Sequence, residues 1–466
     1  MSMARVEAPS LLDSVAHAPA AQFFWDRSAS VCFTDLDRGT SLGGRLSELA
    51  GRSVLLATAS QLTTALALIE LDGCARRIVI LPPNVDTGDL GAVIEAAEVD
   101  AAVIDNESPQ CSVLNLPLRV SCAPTVTPSN AGPSVRRRTE WLLMTSGTTG
   151  VPKLVVHDLA TLTAAVKARS VADGAAVWGT FYDIRRYGGL QMYLRAVLGG
   201  ASLVLSNAGE PIADHLARLA RHGVTHLSGT PSHWRRALMD PAIKKIAPRY
   251  VRLSGEIADQ PILDRLRATF PQAAIGHAYA STEAGVAFDV NDGLAGFPAA
   301  YVGTIRDGVD MKVFADGSLR IRSPRAALRY AGAGQALADA DGFVDTGDIV
   351  ERRAERYYFV GRKGGIINIG GLKVHPEEIE AVINQHPQVG MSRVRSKQNP
   401  ITGSIAVADI VLKSERDIAG AQQAMIKADI LELCRKALPR HKVPAAISFV
   451  SALGIGAAGK LARREP

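Results

Sequence analysis

From Ser53 onward the chain alternates short runs of branched aliphatic residues with runs of helical character: SVLLAT, QLTTALALIELDG, RRIVILPP, DLGAVIEAAE and AAVID. That order leaves few options, because strands joined through helices build a largely parallel sheet whose faces the helices cover. The pattern stops at PSNAGPSVRRRTE, rich in turn formers and charge, and resumes at the apolar run 141–144. A second cycle follows, with ASLVL, THLSG, YVRLSG and AAIGHAYAS as strands. The intervening PIADHLARLARHG and QPILDRLRATF repeat apolar residues at the spacing of an amphipathic helix.

Between about residues 286 and 360 the helical runs vanish, and FADGSLRIRSP and DADGFVDTGDIV read as short strands joined by Asp-Gly turns. After Gly361 come a helix (PEEIEAVINQH), strands (SIAVADIVL), a second helix (AMIKADILELCRKAL) and a basic tail. The expected fold is therefore α/β. A large N-terminal domain, residues 1–360, combines two α/β subdomains with a small β subdomain, and a small mobile α+β domain, residues 361–466, follows.

With 466 residues, 47% of them hydrophobic and 21% charged, such a chain can bury more than one core. A net charge of +6 from 52 basic and 46 acidic residues suits an anionic ligand and is too small an excess to point to nucleic acid. The five cysteines form an odd set without a C-x-x-C pair, which argues against a disulfide framework and against a zinc knuckle. Acidic residues and prolines interrupt the first twenty positions before a signal-like apolar stretch develops. The most apolar helical run, residues 62–71, is far shorter than the roughly 20 residues of a membrane span. The expectation is a cytoplasmic protein without a membrane span.

Chemistry concentrates first in Thr145-Ser146-Gly147-Thr148-Thr149-Gly150-Val151-Pro152-Lys153, which follows an apolar strand. Glycines let backbone N–H groups converge on an anion, hydroxyls add donors and the lysine adds charge, as a polyphosphate cradle requires. A Walker loop is excluded, since Gly147 and Gly150 are too close, Pro152 precedes the lysine, and the strand-like LVV follows it. Taken alone, the run could equally be a hairpin loop rich in Ser, Thr and Gly.

The run resembles, almost letter for letter, the phosphate-loop signature of the adenylate-forming (AMP-binding) superfamily: acyl- and aryl-CoA synthetases, luciferases and the adenylation domains of peptide synthetases. Further elements appear in the family's order, and the resemblance covers roughly residues 50–466. Tyr279-Ala280-Ser281-Thr282-Glu283 is similar to the Y-G-S-T-E element. The resemblance implies that Tyr279 lies against adenine, Thr282 bonds the α-phosphate and Glu283 helps hold a magnesium ion bridging the phosphates of ATP. Ser254-Gly255-Glu256 is similar to a Gly-Gly-Ala or Gly-Gly-Glu turn, where small residues admit the nucleotide and acyl chain. Asp345-Thr346-Gly347-Asp348 resembles the T-G-D element, whose last aspartate accepts hydrogen bonds from both ribose hydroxyls.

Gly361-Arg362-Lys363-Gly364 covers the family's interdomain hinge, with Arg362 as the ribose-bonding arginine and Gly364 where relatives carry Asp or Lys. Glycine keeps the freedom to rotate and forfeits whatever that side chain fixes. Lys460 falls on the family's catalytic lysine, which bridges the carboxylate and the α-phosphate and offsets their mutual repulsion. Rotation about Gly364 would then withdraw Lys460 and bring the Gly370-Gly371 loop to the thiol entry.

The implied reaction joins ATP and a carboxylic acid into an acyl-adenylate with release of pyrophosphate, and then passes the acyl group to a thiol. Coenzyme A is the expected acceptor, a separate acyl carrier protein the alternative. In the acyl-pocket segment Phe181-Tyr182-Asp183-Ile184-Arg185-Arg186-Tyr187-Gly188-Gly189, Tyr187 stands where amino-acid-activating relatives keep the aspartate that binds an α-ammonium. An α-amino acid is thus disfavoured. Asp183 reads as structural, and Arg185 and Arg186 as solvated side chains that could instead pair with a second carboxylate on the substrate. A reading from another class is a protein that holds AMP or an acyl-adenylate without catalysis, against which Lys153, Glu283, Asp348 and Lys460 all argue. An oxidoreductase is disfavoured because no G-x-G-x-x-G follows an early strand.

Overall fold

The computed structural model describes residues 10–16, 22–83, 85–106, 108, 115–129, 136–145, 152–166, 176–207, 209–332, 336–369, 371–399, 403–413, 420–456 and 459–463. The first α/β cycle forms a seven-stranded sheet. Its parallel centre is Ser53–Ala57 flanked by Arg77–Ile80 and Ala101–Ile104. Glu140–Thr145 adds parallel to Arg77–Ile80, and Lys153–Asp158 returns antiparallel beside it. The second cycle forms an eight-stranded sheet whose centre runs Ala274–Ser281, Tyr250–Ser254, His226–Gly229, Val177–Thr180 and Ser202–Val204, all parallel.

Helix Gln61–Leu71 explains how the two sheets meet. Ser60 caps its N-terminus by accepting from the Leu62 and Thr63 amides, and every residue of the helix is buried. Such a helix is covered on all sides, and its one carboxylate, Glu70, is buried accepting from Thr40 and Ser41. Its leucines share one core with Val54, Leu56 and Ile78 of the first sheet and with Leu190, Leu194 and Leu203 of the second unit. Each fully buried aliphatic side chain there contributes on the order of 1.5–3 kcal/mol.

Three features depart from the expected organisation. Phe23–Trp25, which carries no strand–helix alternation in sequence, pairs parallel with Ser202–Val204 and so belongs to the second sheet. Gly285–Val290 was expected to open the β subdomain, yet it pairs with Ala274–Ser281 in the eight-stranded sheet. The β subdomain proper is a five-stranded antiparallel sheet of Phe297–Pro298, Arg356–Arg362, Val344–Arg353, Ser318–Arg322 and Asp310–Val313. Its strand Arg356–Arg362 runs past the expected boundary at residue 360.

In the C-terminal unit, helices Pro376–Ile383 and Gly420–Ala437 pack with a sheet of Val389–Asn399, Gly403–Leu412 and Ala446–Phe449. The long strand Val389–Asn399 escapes a sequence reading because Arg393, Arg395 and Lys397 make its second half look like a charged loop. In the fold, Arg393 and Arg395 both reach Asp409 on the neighbouring strand. The basic tail is likewise not free. Gly456 N–H donates to Lys460 O and Ala462 N–H to Gly454 O, with Leu461 bridging Ile455, so residues 454–456 lie beside 460–462. Arg463 fastens the end of this pairing to Glu380 and Glu377.

Candidate active site

The sites read from sequence converge from five places in the chain. The two ends of the run read as a phosphate loop are brought together, since Thr145 at the end of one strand pairs with Lys153 at the start of the next. Residues Ser146, Gly147, Thr148, Thr149 and Gly150 lie outside the described residues. Lys153 Nζ stands 5.3 Å from the ring centroid of Tyr330, which belongs to the short strand that adds to Lys153–Asp158. Burial raises the pKa of the same tyrosine, and the nearby charge of Glu283 adds to the rise.

Ala274–Ser281 delivers Tyr279, Ala280 and Ser281 at its C-terminal end, the end at which parallel α/β sheets place their ligands. Thr282 and Glu283 follow in the turn before Gly285–Val290, with Ser281 Oγ accepting the Ala284 amide 2.9 Å away. The Glu283 carboxylate makes no hydrogen bond or ion pair among the described residues. A single uncommitted carboxylate fits a magnesium ion that takes its other ligands from phosphate and water. The described residues hold no group of three or more His, Cys, Asp or Glu side chains that would bind a metal unaided.

The Tyr279 ring stacks on Phe359 with centroids 4.9 Å apart, and its hydroxyl donates to Asp348. Asp348 also faces Arg362, whose Nε is 3.1 Å from Oδ1. Desolvation raises the Asp348 pKa, and Arg362 and Tyr279 work against that rise. Tyr279, Asp348 and Arg362 thus form one polar wall, drawn from two different sheets.

Lys460 reaches this wall from the C-terminal unit. Its Cε would lie 3.5 Å from a Cβ at Gly255, a position with φ +87° where the backbone itself favours glycine. The ammonium retains access to solvent but is crowded by protein, and this desolvation, followed by the charge of Arg362, lowers its pKa. Glu256, Asp348 and Glu283 pull in the opposite direction. Both Glu256 oxygens are engaged by protein groups: Oε2 accepts the Ser232 amide at 2.9 Å, and Oε1 accepts Ser232 Oγ at 2.9 Å and the Leu461 amide at 2.8 Å.

The acyl-pocket segment divides sharply. Arg185 was expected to be solvated, and the fold corrects this: the residue is 1% exposed, because its guanidinium pairs with Asp183 and donates to the carbonyls of Thr58 and Ala59. Arg185 is a structural tie and cannot meet a substrate, whereas Asp183 has the structural place read for it. Arg186 stands at the N-cap position of helix Tyr187–Leu198 without a side-chain capping bond and is half-buried, with its Nε lacking a hydrogen-bond partner among the described residues. Gly188 rests on the ring of Tyr182, whose hydroxyl donates to Ser254 O at 2.7 Å and so ties this helix start to the Gly255 turn. Tyr187 is buried with its ring centroid 5.7 Å from that of His157.

Gly364 is exposed, with nothing within 4 Å of a Cβ there, so no packing demands glycine. A Cβ on Gly361, by contrast, would lie 2.5 Å from His375 Nδ1. Gly371 opens the turn before Leu372–Val374, and Gly370 lies outside the described residues.

Four residues at this site carry no motif. His157 is buried beneath it, with Nε2 donating to Thr282 O at 2.7 Å and Nδ1 accepting from Thr161 Oγ1 at 3.0 Å, which fixes one neutral tautomer. Burial pulls its pKa down to about 4. Thr230, Ser232 and His233 start helix Pro231–Met239. Packing of the His233 ring among Phe181, Tyr182 and Gly459 desolvates it and takes its pKa down to about 3. Only a Thr-Pro pair opening a helical run hinted at this start.

Comparison with known proteins bears on the same regions. Residues 378–460 match the model of the AMP-binding enzyme C-terminal domain. Among curated relatives, the 2-succinylbenzoate–CoA ligase of Geobacillus kaustophilus is 27% identical over 346 residues, 70% of this chain and 68% of that one. The 4-coumarate–CoA ligase 3 of Arabidopsis thaliana is 24% identical over 70% of this chain and 62% of its own. Among solved structures, the anthranilate CoA ligase AuaEII in complex with anthranoyl-AMP superposes with a TM-score of 0.79 at 17% identity, covering 97% of this chain and 95% of that one. A benzoate CoA ligase from Burkholderia xenovorans LB400 gives 0.79 at 20% identity, covering 97% of each chain, and both likenesses show a shared fold. With the model described as AMP-binding enzyme matching residues 53–328, more than half of its length, the chain belongs to the AMP-binding enzyme family.

Proposed function

We propose that the protein activates a carboxylic acid with ATP, forming an acyl-adenylate and pyrophosphate, and then transfers the acyl group to coenzyme A. The observation that carries this reading is the placement of Lys460 over Gly255, facing the wall of Tyr279, Asp348 and Arg362. An ammonium there serves both the attacking carboxylate and the α-phosphate, whose negative charges otherwise repel. The CoA ligases named above support the thiol step by likeness.

In this reading Asp348 and Arg362 hold the ribose and Tyr279 borders the adenine. The phosphate loop, residues 145–150, cradles the phosphates with Lys153, and Thr282 bonds the α-phosphate. His157 does not touch substrate; it holds the Thr282 carbonyl and thereby the turn that carries Glu283. A magnesium ion bound through Glu283 supplies charge neutralisation on the phosphates. Residues 361–466 act as a domain that turns about the segment 361–365, presenting Lys460 for the first step and the Gly371 turn for the second.

Mixing the protein with ATP, magnesium and a panel of aryl and aliphatic acids, with and without coenzyme A, tests the proposal. Pyrophosphate release that depends on one acid, followed by a coenzyme A thioester of the matching mass, is the expected result. Adenylate that accumulates and discharges only onto a carrier protein would reassign the acceptor. Nucleotide binding without pyrophosphate from any acid would overturn catalysis.

A further inference from the structure

We infer that Glu256 is a latch that holds the C-terminal unit in the adenylate-forming position, and that it acts on the reaction by positioning Lys460 rather than by touching the nucleotide. The inference rests on the function proposed above. Glu256 follows Gly255 at the end of Tyr250–Ser254, on the large unit. Its carboxylate accepts the Ser232 amide and Ser232 Oγ, and so caps the first turn of helix Pro231–Met239, where a negative charge is favoured by the exposed N–H groups. Those bonds lie wholly within the large unit. They hold the carboxylate in place whether or not the C-terminal unit is docked.

The third bond is of another kind. Oε1 accepts the amide of Leu461, the residue directly after Lys460, across a sequence separation of 205 residues. On the other side of Lys460, the Thr230 hydroxyl donates to the carbonyl of Gly459 at 2.6 Å. Both peptide groups that flank Lys460 are therefore pinned to the same helix start, and the side chain between them is directed over Gly255. Gly459 can come this close only because it lacks a side chain, since a Cβ would stand 2.0 Å from His233 Cε1.

The residues just after Lys460 are tied to their own unit. Arg463 is bound to Glu380 and Glu377, and Arg393 Nη1 donates to Ala462 O at 3.3 Å, all within the C-terminal unit. At the far end of helix Pro231–Met239, Met239 packs with Met391, Val411 and Leu453 of that unit. Helix Pro231–Met239 is thus a rail with polar clasps at its start and an apolar contact at its finish. A rotation of the C-terminal unit has to break the Leu461 and Gly459 bonds, while Glu256 keeps its two bonds to Ser232. Because Gly364 brings no side chain to fix either state, the latch carries that task on the adenylate-forming side.

The test separates the two half-reactions. In Glu256→Ala, acyl-adenylate formation from ATP and the acid should slow at least tenfold, while thioester formation from supplied acyl-adenylate and coenzyme A should stay within twofold of the wild type. Glu256→Gln keeps an acceptor oxygen for Leu461 and should recover most of the first rate. Hydrogen exchange at the Leu461 amide, slow in the wild type, should become fast in Glu256→Ala and remain slow in Glu256→Gln. Equal loss in both half-reactions, or unchanged protection of Leu461 in Glu256→Ala, would overturn the latch. If the wild type released no pyrophosphate with any acid, the functional reading would fail while the exchange comparison still decided the latch. Should Glu256→Ala fail to fold, Thr230→Val, which removes the donor to Gly459, is read by the same two measurements.

Discussion

Asp348 and Arg362 are paired residues on neighbouring antiparallel strands, and the salt bridge between them closes one side of the polar wall that Lys460 faces. A carboxylate so placed can exchange its arginine and tyrosine partners for a vicinal diol. Asp348→Asn should raise the KM for ATP about tenfold, the effect of losing roughly 1.5 kcal/mol from one charge-assisted hydrogen bond. An unchanged KM measured at saturating acid would remove Asp348 from the nucleotide site.

Lys460→Ala should abolish acyl-adenylate formation and spare thioester formation from supplied adenylate. Gly459→Ala should give the same split for a different reason, because its Cβ would drive into His233 and bar the docked position. Rates for the two half-reactions, measured separately, check both variants, and parallel losses would contradict the division of labour.

Arg185 and Arg186 should behave oppositely despite being neighbours. Arg185→Ala leaves Asp183 and two backbone carbonyls without their buried donor, and should destabilise the fold by about 3–5 kcal/mol. Arg186→Ala should leave the denaturation midpoint nearly unchanged and shift only the KM for the acid. Urea titrations and acid kinetics on the two proteins decide the matter.

His157 predicts acid sensitivity. Its folded pKa of about 4 lies below the ordinary histidine value of 6.5, so between those values the unfolded chain binds the extra proton. The stability from His157 is complete above the unfolded pKa and falls as pH drops toward the folded one. From pH 7 to pH 5 the loss should be about 2 kcal/mol. His157→Gln, which can still donate to Thr282 O, should flatten urea-derived stability over that interval; an unaltered slope would show that His157 is not its source.

Gly361→Ala should disturb the strand that leads out of the five-stranded sheet, because the new methyl group meets His375. Gly364→Ala meets nothing and should change stability by less than about 0.5 kcal/mol. Thermal melts of the two variants provide the check.

Much of the fold is legible where local pattern and tertiary role coincide. The helix Gln61–Leu71 and the strands on either side of it are rich in aliphatic residues because they are largely buried, and sequence records that directly. Site motifs are legible for a related reason, since Tyr279 and Asp348 sit on strands and Glu283 in the turn that follows one, where the backbone constrains the neighbouring residues. What escapes is set by distant partners. Arg185 looks like a surface residue until the Thr58 and Ala59 carbonyls are seen beside it, and Glu256 looks like part of a nucleotide turn until Ser232 and Leu461 arrive from elsewhere. Strand Val389–Asn399 hides behind charges that find Asp409 only after the hairpin has formed.

The pairing of Phe24 with Leu203 has a consequence for how the chain is made. During synthesis the strand Phe23–Trp25 emerges early but cannot find its neighbour until residues 202–204 have left the ribosome, with every strand of the first sheet but Arg329–Tyr330 produced in between. At the usual pace of about 5–20 residues per second, that is on the order of ten seconds or more in which the Phe23–Trp25 edge stays unpaired. The Phe23–Trp25 strand is therefore secured in the second sheet only after most strands of the first have been made.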